Sequence, residues 1–166
     1  MRILILNGPN INLLGMREPG IYGADSFADL LALVQRTGEG DGDETAESIN
    51  LQILEHAQKL GYSCEIFQSN HEGALVDRIQ AAMGKVDGIG FNPGAYTHTS
   101  IALLDALLAV RIPTVEVHIS AVEKREAFRQ TSYIRSACFL TITGEGIAGY
   151  VRAIRELKAY LLRQTR

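Results

Sequence analysis

Glu116 and His118 stand two positions apart in the apolar run Thr114-Val115-Glu116-Val117-His118. On a strand, positions i and i+2 share a face, so the carboxylate could orient the imidazole and keep it protonated. A histidine held this way is suited to general acid chemistry; alone, it could equally be a histidine satisfied at a strand end. Just beyond, the backbone N–H groups around Ile119 and the Ser120 hydroxyl form a suitable nest for a carboxylate. Arg129, in Arg125-Glu126-Ala127-Phe128-Arg129, could add a charged donor or serve as an exposed salt-bridging residue. His98 falls in Tyr96-Thr97-His98-Thr99-Ser100, where Thr97 is expected to cap the helix that follows. Capping accounts for the threonines of that run but not for the histidine.

A second cluster lies in Gly15-Met16-Arg17-Glu18-Pro19-Gly20-Ile21-Tyr22-Gly23, too punctuated by glycine and proline to be regular structure. It is read as a mobile lid that exposes Arg17 and Tyr22. Lowering a tyrosine from its ordinary pKa near 10 to about 7 takes roughly 4 kcal/mol of preference for the phenolate. A guanidinium in a closed, partly dry site could supply much of that. The pair then suits abstraction of a proton beside a carbonyl. The competing reading makes Arg17 a surface charge and Tyr22 an anchor for the loop.

These residues need a scaffold. Short apolar runs at 2–6, 63–68, 88–92, 114–118 and 138–142 alternate with helix-like segments, the pattern of a parallel sheet covered on both faces. Helical spacing appears at 72–83, 99–110 and 146–162 and is read as core-facing stripes. The expected fold is α/β, with a five-stranded parallel sheet in flavodoxin-like order. Ligands in such folds bind outside the carboxyl ends of the strands. The loops Asn7-Gly8-Pro9-Asn10, Asn92-Pro93-Gly94-Ala95 and His118-Ile119-Ser120 all begin there. Helical pattern also flanks, at 27–36 and 45–60, the acidic glycine-rich stretch 37–44, which is read as a solvated loop; its carboxylates do not complete an EF-hand.

The 166 residues are 46% hydrophobic, enough for one substantial core and a single domain. A net charge of -3 offers no general attraction to nucleic acid or an anionic membrane. Cys64 and Cys138 lack C-x-x-C spacing and read as reduced core thiols, pointing to the cytoplasm. The apolar run at 2–6 is too short for a signal-peptide core, and neither export nor membrane insertion is expected.

Taken together, the strings Asn7-Gly8-Pro9-Asn10, Arg17-Glu18-Pro19 with Ile21-Tyr22-Gly23, Gln68-Ser69-Asn70-His71-Glu72-Gly73, Asn92 to Ser100, Glu116 to Ser120, and Arg125-Glu126 with Phe128-Arg129 resemble the type II 3-dehydroquinate dehydratases, in order and over nearly the whole chain. The resemblance implies conversion of 3-dehydroquinate to 3-dehydroshikimate by anti elimination through an enolate, without cofactor, metal or covalent adduct. It implies that Tyr22 removes a C2 proton, that Arg17 keeps Tyr22 ionised, and that Asn10 holds a water on the enolate. His118, supported by Glu116, would protonate the departing C1 hydroxyl. Asn92, His98 and Arg129 would hold substrate hydroxyls, and Ile119 and Ser120 its carboxylate. Asp105 would reach a neighbouring subunit's site in a homododecamer built from trimers.

The chain departs from the family pattern in the acidic insertion around 37–45, in Ala121-Val122-Glu123 where Asn-Val-His is more familiar, and in Ser136-Ala137-Cys138. Two other readings stand beside this one. A non-catalytic flavodoxin-like binding module would favour a Ser/Thr/Gly-rich anion loop after the first strand, which this chain lacks. A relative acting on another cyclic hydroxy acid would present the same residues.

Overall fold

The structure, a computed structural model, describes residues 1–16, 24–39 and 63–164. Strands β1 (Arg2–Asn7), β2 (Ser63–Gln68), β3 (Gly88–Asn92), β4 (Thr114–His118) and β5 (Leu140–Thr143) form one parallel sheet in the order β2-β1-β3-β4-β5. Helices α1 (Phe27–Glu39), α2 (Glu72–Ala81), α3 (Ile101–Val110) and α4 (Ala148–Gln164) cover its faces. This is the expected flavodoxin-like order. No described helix is long and apolar enough to cross a membrane.

The pleat sorts the side chains of β1. Ile3 and Ile5 enter a core with Leu30 and Val34 of α1 and Tyr150, Ala153 and Leu157 of α4. Leu4 and Leu6 enter the other, with Leu75 and Ile79 of α2 and Leu103 and Leu107 of α3. Being covered twice is why β3 and β4 are buried at every position and read as continuous apolar runs, whereas the edge strands β2 and β5 are only partly buried. Each fully buried Leu or Ile contributes about 1.5–3 kcal/mol relative to exposure, so the central strands form a rigid base for whatever their ends carry.

At the carboxyl edge, the loop after β1 lies directly on the loop after β3. The Gly8 N–H donates to the Asn92 carbonyl at 2.7 Å, and a Cβ on Gly8 would stand 2.3 Å from the Pro93 carbonyl oxygen. Gly94, at φ +57°, meets Pro9 from the other side. Only glycine tolerates both the approach and the left-handed backbone.

Three expectations need correction. Thr97 does not cap α3. Ser100 does, its Oγ accepting from the Leu103 N–H at 2.9 Å, because His98 and Thr97 belong to a separate 3-10 turn, Gly94–His98. The fifth strand starts at Leu140, not 138, since Cys138 closes a 3-10 turn over Ile134–Ala137. Helix α1 runs to Glu39, through the start of the expected acidic loop, because a single helix-interior glycine such as Gly38 costs only about 1 kcal/mol. The rest of that loop, the 45–60 pattern and the Arg17/Tyr22 lid lie outside the described residues. Cys64 and Cys138 are free thiols, pushed up by burial to about 11 and about 12.

Candidate active site

The carboxyl-terminal end of β4 carries the Glu116–His118 pair, both residues buried. His118 Nε2 lies 2.8 Å from Glu116 Oε1, and the glutamate is wholly buried. Thr97 and Ser132 hydroxyls also donate to Oε1, at 2.7 and 2.6 Å, while Thr141 and the Arg135 guanidinium donate to Oε2 at 3.0 and 3.3 Å. Burial alone would raise this carboxyl, but the bonds from His118, Ser132 and Thr97 outweigh it and hold it down at about 2. An ionised carboxylate only accepts, so His118 Nε2 carries a hydrogen toward it and Nδ1 is the nitrogen left for other work.

His118 lines a cleft of about 210 Å³ at the carboxyl edge of β1, β3 and β4, where the strand order reverses. Asn10, Asn92, His98, Ile119, Ser120 and Arg129 line it too. The structure therefore brings together eight of the singled-out residues, Glu116 included as the group behind His118. Asn10 sits in the left-handed region at φ 66°, its N–H donating to Asn70 Oδ1 at 3.0 Å. His98 Nδ1 meets the Thr131 carbonyl at 2.7 Å, and burial lowers its pKa. A neutral ring that gives its Nδ1–H to a carbonyl keeps Nε2 as an acceptor. Arg129 is braced by Glu126 at 3.1 Å and lies over the Phe128 ring, its guanidinium carbon 5.2 Å from the centroid.

Asp105 is exposed on α3 and does not line this cleft. Arg17 and Tyr22 lie outside the described residues.

The family model described as dehydroquinase class II matches residues 1–42 and 30–158. The chain belongs to the class II dehydroquinase family. A catabolic 3-dehydroquinase 1 of Aspergillus terreus is 49% identical to it over 155 residues, spanning 93% of this chain and 90% of that protein. A 3-dehydroquinate dehydratase of Dinoroseobacter shibae is 45% identical over 161 residues, 97% of this chain and 95% of the relative. Among solved structures, the type II dehydroquinase of Butyrivibrio crossotus superposes with a TM-score of 0.80 at 41% identity, covering 95% and 97% of the two chains. The two stretches matched by the family model overlap at 30–42, where the acidic segment begins.

Several residues of this cleft and its surroundings were not singled out from sequence. Arg125 lines the cleft beside Arg129, and the two share Glu126, so this wall is cationic. Ser132, Arg135 and Thr141 reach Glu116 from other loops and from β5, 16 to 25 residues along the chain. Thr97, expected as a cap, joins these three and His118 as the fifth side chain around that carboxylate. In the atypical stretch, Val122 is buried and lines the cleft, whereas Glu123 is exposed.

Proposed function

We propose that this chain catalyses the anti elimination of water from 3-dehydroquinate, giving 3-dehydroshikimate through an enolate, within the shikimate pathway or quinate catabolism. The observation that carries the reading is the Glu116–His118 pair, fully formed at 2.8 Å and facing a cleft of small-molecule size. In the first step the Tyr22 phenolate, kept ionised by Arg17, takes a C2 proton. The C–H electron pair becomes the C2–C3 double bond of the enolate, whose oxygen is met by a water held on Asn10. In the second step the enolate re-forms the C3 carbonyl and expels the C1 hydroxyl, to which His118 gives a proton so that it leaves as water. Tyr22 and His118 then exchange protons with solvent and the site is reset.

The remaining cleft residues suit binding. The cationic wall of Arg125 and Arg129 favours an anionic substrate. Asn92, His98 and Arg129 hold its hydroxyls, with His98 Nε2 accepting, and Ile119 and Ser120 hold its carboxylate. No cofactor enters either step. Asp105 serves the site of a neighbouring chain in a dodecamer of trimers, and the free thiols suit a cytoplasmic enzyme.

The test is direct. Purified protein given 3-dehydroquinate without added metal should develop the ultraviolet absorbance of a conjugated enone; folded protein that gives none overturns the reading. Tyr22→Phe should abolish turnover while substrate still binds, since only the base is removed.

A further inference from the structure

Asn7 and Asn92 end adjacent strands, are register partners, and are both buried. Between them stands the hydroxyl of Tyr150, which reaches across from α4 and is itself completely buried. Asn92 Nδ2 lies 2.7 Å from the Tyr150 oxygen, and that oxygen lies 2.7 Å from Asn7 Oδ1. The direction of the chain is forced from one end. Gly94 N–H donates to Asn92 Oδ1 at 3.1 Å, so Nδ2 is the atom that faces the phenol, and it can only donate. The phenol accepts from Asn92 and therefore spends its own hydrogen on Asn7 Oδ1. Burial pushes the phenol far above its ordinary range, so it keeps that hydrogen.

The cost of this arrangement falls on Asn7. Its Nδ2 is buried without a hydrogen-bond partner among the described residues. A stranded buried donor is destabilising, and turning the amide would set Nδ2 against the phenol and take away the acceptor of the phenol's hydrogen. What the arrangement secures is Asn92, which lines the cleft at 2% exposure. With Oδ1 engaged by Gly94 and one N–H given to Tyr150, its second N–H is the donor it can offer a ligand hydroxyl.

We infer that Tyr150 is a positioning residue for the reaction: through a one-directional chain from Gly94 to Asn7 it fixes the Asn92 amide with a donor available to the substrate. The inference rests on the dehydration reading for the identity of that substrate. Without the phenol oxygen, the two amides are each other's nearest partners, on strands about 4.8 Å apart. Asn92 Nδ2 then turns toward Asn7 Oδ1 and away from the cleft.

Tyr150→Phe keeps the ring and removes the relay. It is expected to raise KM for 3-dehydroquinate roughly five- to tenfold with kcat held within about threefold, the pattern of lost ground-state binding. A merely structural role would lower the folded fraction and leave KM unmoved. Asn7→Leu removes the phenol's acceptor together with the stranded donor, leaves the phenol's hydrogen unpaired so that the phenol no longer holds Asn92 in one place, and should give the same KM defect. A crystal structure of ligand-free Tyr150→Phe should show the Asn92 amide turned toward Asn7, a readout that needs no turnover. An unchanged KM in both variants, or an unmoved Asn92, overturns the inference. Wild-type protein without dehydratase activity overturns the dehydration reading instead, and the position of Asn92 in the variant still decides this one.

Discussion

A carboxylate buried completely and held by five donors is stable only while it is charged, and Glu116 is such a group. Its folded pKa of about 2 lies below the 4.5 of an unperturbed glutamate. The unfolded chain therefore binds the proton more readily, and the stability Glu116 contributes is fully present above pH 4.5 and is lost as pH falls toward 2. The shift corresponds to roughly 3 kcal/mol. Glu116→Gln presents an amide N–H₂ to donors that expect a charge, so it should cost roughly 3–5 kcal/mol near neutral pH. It should also flatten the acid limb of stability, measured by urea unfolding at stepped pH. Because the amide no longer fixes the hydrogen on His118 Nε2, kcat should fall about a hundredfold or more, within the usual range for disabling a general acid. A variant that keeps the wild-type acid limb would mean that the carboxylate is protonated in the native protein.

One step up, the segment between β3 and α3 shows how an element divides two tasks that look alike in sequence. Thr97 and Ser100 are both hydroxyl residues ahead of an apolar helical pattern, and either satisfies the local rule for a cap. The 3-10 turn Gly94–His98 separates them, leaving Ser100 at the helix and swinging Thr97 inward to Glu116. Nothing local distinguishes the two, because the partner that recruits Thr97 lies 19 residues away on another strand. His118 was legible for the opposite reason: its partner is two residues off on the same strand, and the period-2 rule carries that contact on its face. Ser100→Ala should therefore cost about 1 kcal/mol, seen as a lowered Tm, with kcat and KM kept. Thr97→Val, of nearly the same volume, should lower kcat by roughly tenfold, since it removes a hydrogen bond of about 1.5 kcal/mol or more to the charged group behind His118. If the two variants exchange these effects, the cap has been assigned to the wrong residue.

At the scale of the molecule, the parallel order was readable because each buried strand is a short β-rich run between helical stripes, and such strands pack in few ways. Tyr150 was not readable as part of the site, since it sits on a core-facing stripe of α4 and meets Asn7 only across 143 residues of chain. Asp105 poses the remaining question at this scale. It is exposed on α3 and does not line its own chain's cleft among the described residues, which suits a part in a neighbouring chain's site. If the assembly is a dodecamer, light scattering should find twelve chains of 18.1 kDa, and Asp105→Asn should lose activity with the fold intact. A mixing experiment separates a shared site from a private one. Tyr22→Phe lacks the base but still supplies Asp105, whereas Asp105→Asn retains the base. In hybrids formed by co-expression, a Tyr22 site on one chain meets the Asp105 of its neighbour in roughly a quarter of random pairings. Recovery to about that fraction of the wild-type rate shows the residue acting across the interface; hybrids no more active than the parent variants confine it to its own chain.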